Sequence, residues 1–267
     1  MISELFSIGS FSLSPFGPLL VLAFVAAFAQ LRNGMKTTEL GTEDDAYSIL
    51  TAAALGGILG GKLYYAILYG DLGLLLNRAG IVYYGGLIGG AIAVLATTTF
   101  RGMPFWKVID VTAPSVAIGY AVGRVGCLVV GDDYGVPSDV PWAMAFPEGP
   151  IPTTAGAMRQ HFDVDIAESV PADTVLKVHP TQLYEVLLGT LIWFLGRSLL
   201  RQRSRPAGVV GLTVLAMLAV ERFGIEFLRA KDDRLLGVLT VAQGISIVIF
   251  AVCLLGLLAR SRSDDEA

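Results

Sequence analysis

The chain has 267 residues, of which 54% are hydrophobic and only 16% charged, with a net charge of −4 and a mean hydropathy of +0.66. A soluble domain carries charge on about a quarter of its residues, so the composition excludes an ordinary soluble fold and points to a polytopic membrane protein. The acidic balance, without a basic run, argues against a nucleic-acid partner, and two isolated cysteines, Cys127 and Cys253, indicate neither a disulfide framework nor a metal site.

Seven apolar runs of about 20 residues, the length needed to cross hydrocarbon, occupy 11–31, 47–69, 81–100, 108–130, 181–200, 207–227 and 238–258. Runs this long exclude barrel strands, so each is expected to be a helix. The expectation is an all-α, seven-helix membrane bundle forming one domain over 1–267. One alternating set of loops holds Arg32, Lys36, Arg101, Lys107, four arginines between 197 and 205, Arg260 and Arg262. The other set is poorer in cations although it includes the longest loop, so the first set is expected in the cytoplasm, with the N-terminus outside and the C-terminus inside. No Lys or Arg precedes the first run, and no cleavable signal is expected.

The second and third segments share a pattern, Gly56-Gly-Ile-Leu-Gly-Gly61 and Gly85-Gly-Leu-Ile-Gly-Gly90. Small residues four apart let helix backbones approach closely in lipid. Tyr83 and Tyr84, directly before the second pattern, sit where tyrosines anchor helices at the interface. The fourth segment holds the most unusual residue, Arg124, in the stretch Gly123-Arg-Val-Gly-Cys-Leu-Val-Val-Gly-Asp-Asp-Tyr-Gly135. A cation near a helix centre in hydrocarbon costs about 2.5–3.5 kcal/mol on insertion scales, which makes Arg124 a functional candidate. Asp110, at the start of the same segment, and Lys62 are read as structural.

Residues 132–179 form the one long extramembrane stretch, rich in Pro, Asp and Glu, and read as a lid or a connector on the outer face. The fifth segment opens with His179-Pro-Thr-Gln-Leu-Tyr-Glu185, Pro180 suiting a first helical turn. In the sixth, Arg222, Glu226 and Arg229 are spaced by four and three and share one helical face. This stripe is either a salt-bridge ladder or an anion site. Arg124 and Arg222 fall at comparable depth, and guanidinium forks suit a phosphate such as a phospholipid headgroup.

Together, Gly56 to Tyr69, Tyr84-Gly-Gly-Leu-Ile-Gly89, Asp110-Val-Thr-Ala-Pro114, Gly123 to Gly135, His179 to Glu185 and Arg222 to Arg229 resemble, in the same order, the bacterial prolipoprotein diacylglyceryl transferases. The resemblance implies an enzyme of the bacterial cytoplasmic membrane with its active site toward the outer face. It implies transfer of the diacylglyceryl group of phosphatidylglycerol to the lipobox cysteine thiol of a preprolipoprotein, releasing glycerol-1-phosphate without a cofactor or metal. By the same resemblance the headgroup-binding arginines fall on Arg124 and Arg222, the glutamate on Glu226, and the signature acidic position on Asp132. Gly126, Cys127, Gly135 and Tyr184 are expected to line the substrate. Two positions depart from the family's best-known members, Tyr84 replacing His and Cys127 replacing Asn. A tyrosine with a pKa near 10 is a poor base, so Tyr84, Glu226, Asp132 and a water all remain candidates. These departures also keep open a lipid-binding or lipid-translocating protein that has lost the chemistry.

Overall fold

The computed structural model describes residues 6–8, 11–76, 82–162, 164–202, 205–230, 234–235 and 239–265. Eight helices lie among the described residues: α1 (Phe16–Thr38), α2 (Glu43–Tyr69), α3 (Tyr83–Phe100), α4 (Phe105–Val130), α5 (Ala155–Phe162), α6 (Thr181–Leu200), α7 (Val209–Ile225) and α8 (Val241–Asp265). Two short antiparallel pairs accompany them: β1 (Phe6–Ile8) with β2 (Phe11–Leu13), and β3 (Arg234–Leu235) with β4 (Leu239–Thr240).

Helix limits follow local chemistry. The first apolar run begins as strand because Phe11–Leu13 pairs with Phe6–Ile8, and helix starts only after Pro15. α2 starts earlier than its apolar run, since Thr42 and Asp45 form a reciprocal capping box with N–H groups that would otherwise be orphaned. α7 is capped from another helix. Asp110 on α4 accepts hydrogen bonds from the backbone N–H groups of Gly208 and Gly211, each at 2.7 Å, which places a buried carboxylate at the positive end of α7. The structural reading of Asp110 therefore holds.

α1, α2, α4, α6 and the Val241–Ser261 part of α8 are long and apolar enough to cross a membrane. Of the two remaining sequence segments, the third contributes the shorter apolar helix Gly85–Phe100, and the sixth forms α7, which stops after 17 residues at Ile225. Large apolar side chains such as Leu59, Ile67, Ile92, Phe194, Val248 and Leu255 are exposed. In water such a surface would be an aggregation liability, whereas in hydrocarbon it is solvated. The chain is a multi-pass membrane helix bundle.

α4 is the axis of the bundle, packed against α1, α6 and α7, while α8 lies against α7 and the α2–α3 hairpin flanks the outside. Leu31, Met35, Ile49, Val111, Ala117, Ile192 and Val214 form the buried core. Small residues set its spacing: a Cβ on Gly189 would sit 3.2 Å from that of Ala121, and one on Gly196 would meet Val214 at 2.5 Å and Pro114 at 3.2 Å. Pro114 lies inside α4, where it removes one ladder bond at the level of Gly196.

The hairpin owes its closeness to the glycine pattern. A Cβ on Gly56 would lie 2.6 Å from the Gly89 carbonyl oxygen, and one on Gly60 would lie 2.8 Å from the Gly89 Cα. Because backbone, not a flexible side chain, is the obstacle, Gly89→Leu is expected to separate α2 from α3. The cost should equal or exceed the ~1–3 kcal/mol typical of overpacking, read as a loss of monodisperse protein in detergent, and a normal yield would count against this packing.

Outside the bundle, the described residues of 132–179 pack as a cap around a small core of their own. Tyr134, Phe146, Met158 and Val178 are buried together with Ala230, and the Tyr134 and Phe146 rings stack at 5.7 Å. Isolated β-bridges tie Pro137 and Met144 to Val178, and Thr154 to Val175.

Candidate active site

Where α4 ends, Gly131 adopts a left-handed conformation (φ 77°) and Asp133 follows with φ 62°. Asp is among the few non-glycine residues that tolerate this region, and the double reversal turns the Asp133 carboxylate back over the last turns of α4. There it meets Arg124 Nη1 at 2.6 Å, and its other oxygen pairs with Arg229 Nη2. The chain downstream is held by Gln182 Nε2, which donates to the Asp132 carbonyl at 2.7 Å, and by Thr181 Oγ1, which donates to the Asp133 carbonyl at 2.8 Å.

Beneath this turn lies Glu185 on α6, whose side chain is 0% exposed. Arg124 Nε is 3.2 Å from its Oε2, while Arg222 Nη1 and Arg229 Nη1 stand 3.8 and 3.9 Å from its Oε1. Arg222 Nη2 also reaches Glu226 Oε2 at 2.6 Å, and Arg229 Nε lies 3.9 Å from the same oxygen. The spacing read from sequence thus forms a ladder even though α7 ends at Ile225, because the following turn keeps Glu226 and Arg229 on the same side. Tyr120 on α4 donates to Glu185 Oε1 at 2.8 Å, lies 3.3 Å from Glu221 Oε1, and carries the Arg124 guanidinium 5.2 Å above its ring.

Arg124, Arg222 and Arg229 face the carboxylates of Asp133, Glu185 and Glu226, with Glu221 joined to them through Tyr120, yet the hydrogen bonds are incomplete. Among the described residues, buried Arg222 Nη1, Glu185 Oε2 and both Glu226 oxygens have no hydrogen-bond partner. The Arg222–Glu226 contact is close enough for an ion pair but lacks hydrogen-bond alignment, so the two descriptions agree. Polar groups left incomplete in a buried place are costly, and an arginine donor without an acceptor here is suited to receive an anionic ligand.

Asp133 lies beyond the end of α4. Burial would push its carboxyl up, but the Arg229 and Arg124 guanidiniums outweigh this and hold it below the ordinary value of 3.8. A lowered folded-state value means that the clamp contributes its full stability above pH 3.8 and loses it as the pH falls through the lowered value. Asp133→Asn is expected to remove this acid limb from a plot of thermal stability against pH, and an unchanged limb would exclude the clamp as its source.

The residues singled out from sequence distribute unevenly. Arg124, Arg222 and Glu226 meet in one cluster, with Cys127 at its edge, 3.7 Å from Arg124 Nη1. Asp132 sits beside the cluster with its side chain exposed, and the adjacent Asp133 makes the arginine contacts. Gly126 faces α1, where an added Cβ would be 3.2 Å from the Phe16 ring. Gly135 lies between two chains, donating its N–H to His179 O at 2.9 Å, with Leu228 O and His179 Cβ filling the space of a side chain. Tyr184 joins the cap: its hydroxyl accepts from Trp142 Nε1 at 2.6 Å and lies 3.2 Å from His179 Nδ1. Tyr84 is the second residue of α3, and its side chain lies outside the described residues.

Sequence reading did not single out Glu185, Tyr120 or Glu221 as site residues, and of the acidic pair after α4 it favoured Asp132 over Asp133. The available signal was charge bookkeeping: two arginines within apolar helices require carboxylates at the same depth, and Glu185 is the one acid of 181–200 while Glu221 accompanies Glu226 in 207–227.

The family model for prolipoprotein diacylglyceryl transferase matches residues 3–259. A phosphatidylglycerol–prolipoprotein diacylglyceryl transferase of Geobacter sulfurreducens is 31% identical over 94% of this chain and 91% of its own length. Proteins of the same name from Methylococcus capsulatus (32% identical, 96% of this chain and 95% of the relative) and Solidesulfovibrio magneticus (31%, 98% and 95%) are similar to the same extent.

Proposed function

This chain belongs to the prolipoprotein diacylglyceryl transferase family, and from that premise we propose that it moves the diacylglyceryl group of phosphatidylglycerol onto the lipobox cysteine of a preprolipoprotein. One observation carries the assignment of the site: Arg222 Nη1 is buried without a hydrogen-bond partner, beside Arg124 and Arg229, around the fully buried Glu185. A phosphodiester supplies the oxygens that such donors lack, and a fork of N–H groups matches them.

In the reaction, the cysteine sulfur forms a bond to the glyceryl carbon that carries the phosphate, and the carbon–oxygen bond to the phosphate breaks. Glycerol-1-phosphate leaves with the electron pair. Charge grows on the departing phosphate, and Arg124 and Arg222 stabilise it by being already oriented in a water-poor site. The thiol, with an ordinary pKa near 8.5, must give up its proton to attack. We assign the acceptor to Glu226 Oε1, the oxygen that makes neither a hydrogen bond nor an ion-pair contact among the described residues.

The remaining placement belongs to the same reading. All seven apolar segments cross the bacterial cytoplasmic membrane, α3 and α7 included, with the N-terminus outside. The cluster and the cap over residues 132–179 then face outward, where lipid enters sideways and the preprolipoprotein enters beneath the cap. The chain works as a single membrane-embedded domain.

Membranes containing the protein, given labelled phosphatidylglycerol and a lipobox peptide, are expected to yield lipidated peptide and glycerol-1-phosphate in equal amounts. Lipid binding without release of glycerol-1-phosphate would overturn the proposal.

A further inference from the structure

At the opposite end of the bundle, α1 and α6 diverge around a cavity of 230 Å³ lined by Gln30, Asn33, Lys36, Thr37, Arg197 and Arg201, with Gly34 and Leu200 at its back. Arg197 lies twelve residues along α6 from Glu185, about 18 Å at 1.5 Å per residue, so this cavity is separate from the transferase centre.

Its polar groups are built in. Gln30 is only 4% exposed, and its Oε1 accepts from Trp193 Nε1 at 2.9 Å and from Arg197 Nη1 at 3.1 Å. With that oxygen occupied, the two amide donors of Gln30 are left for the cavity it lines. The Arg197 guanidinium also stacks over the Trp193 ring at 5.7 Å, which fixes its fork while leaving its charge unneutralised. Arg32 and Arg101 differ, being paired with Glu43 and Asp45. Among the described residues, no carboxylate lines the cavity. The neighbouring hollow, which shares Thr37 and Leu200, contains Glu39 and Asp110 and is of mixed charge.

Cations that merely orient a membrane protein need neither a cavity, nor a buried glutamine, nor a stacked guanidinium. A hollow between membrane helices that offers donors and three cations but no acid matches the phosphate of a lipid headgroup. At roughly 30 Å³ per water, it has room for a phosphate and several waters. We propose that this cavity seats the phosphate of an anionic membrane phospholipid, as a binding site distinct from the one that reacts.

Native mass spectrometry of the purified protein in neutral detergent, with added phosphatidylserine or phosphatidylcholine, tests this without relying on transfer. One phosphatidylserine is expected to stay bound, with phosphatidylcholine held far less well. Arg197→Gln should reduce its retention about tenfold or more, as for a lost charge-assisted contact. Lys36→Gln, at an exposed position, should act in the same direction, while Arg124→Gln should leave this lipid in place. Equal retention in wild type and both cavity variants would overturn the proposal. It would also fail if millimolar inorganic phosphate raised the melting temperature in an Arg197-dependent way while phosphatidylserine was not retained, because the cavity would then hold a soluble anion.

Discussion

Arg222→Ala is expected to lower the rate of diacylglyceryl transfer by about 10²–10³, the usual loss when one preorganised donor to a developing charge is removed. The size follows from the geometry. Nη2 is committed to Glu226 at 2.6 Å, whereas Nη1, 3.8 Å from Glu185 and without a hydrogen bond, is available to the phosphate. The side chain is 25% exposed, so the truncated protein should still fold. Arg222→Lys should not restore the rate, because a single ammonium cannot keep Glu226 and reach the phosphate in the same planar arrangement. Initial rates with labelled phosphatidylglycerol, beside a melting curve, check this. A folded Arg222→Ala protein with full activity would eliminate the phosphate clamp.

Glu185→Leu is expected to damage the fold itself, by about 3–5 kcal/mol, the range found when one partner of a buried ion pair is removed. Glu185 is fully buried, and three guanidiniums lie within 3.9 Å of it. Among the described residues, its loss leaves those cations paired with Asp133 and Glu226, and it also strips the Tyr120 hydroxyl of its 2.8 Å acceptor. Glu185→Gln should be milder, since an amide oxygen can still accept from Tyr120 and only the charge is lost. Melting temperature and survival time in detergent are the readouts. Wild-type values for Glu185→Leu would mean that the arginines are neutralised elsewhere.

These two residues were not equally legible. Arg222 stands out because a charge in an apolar run is expensive wherever it points. Its relation to Glu226 could also be read, since helical spacing of four is local geometry. The glycine pattern of α2 and α3 was legible for the same kind of reason: two small residues four apart describe a flat helix face. Glu185 was hidden, because a carboxylate near the first turn of a helix is compatible with an interface position, and only the packing of α6 against α4 and α7 puts it at the centre. Asp132 and Asp133 are indistinguishable as neighbours in a sequence. The left-handed turn after Gly131 decides that Asp133 reaches the arginines. The cap was equally opaque, since Tyr134, Phe146, Met158 and Val178 follow no helical or strand period and are gathered by isolated bridges.

By itself, the sequence determined the medium, the helices and the presence of buried cations, because hydrophobic length and the cost of charge in hydrocarbon are properties of single segments. The tertiary structure alone decided which acid answers which arginine, where donors remain unanswered, and that a second, basic cavity lies at the other end. Those outcomes depend on distances between residues far apart in the chain, which are fixed only when α4, α6 and α7 pack together.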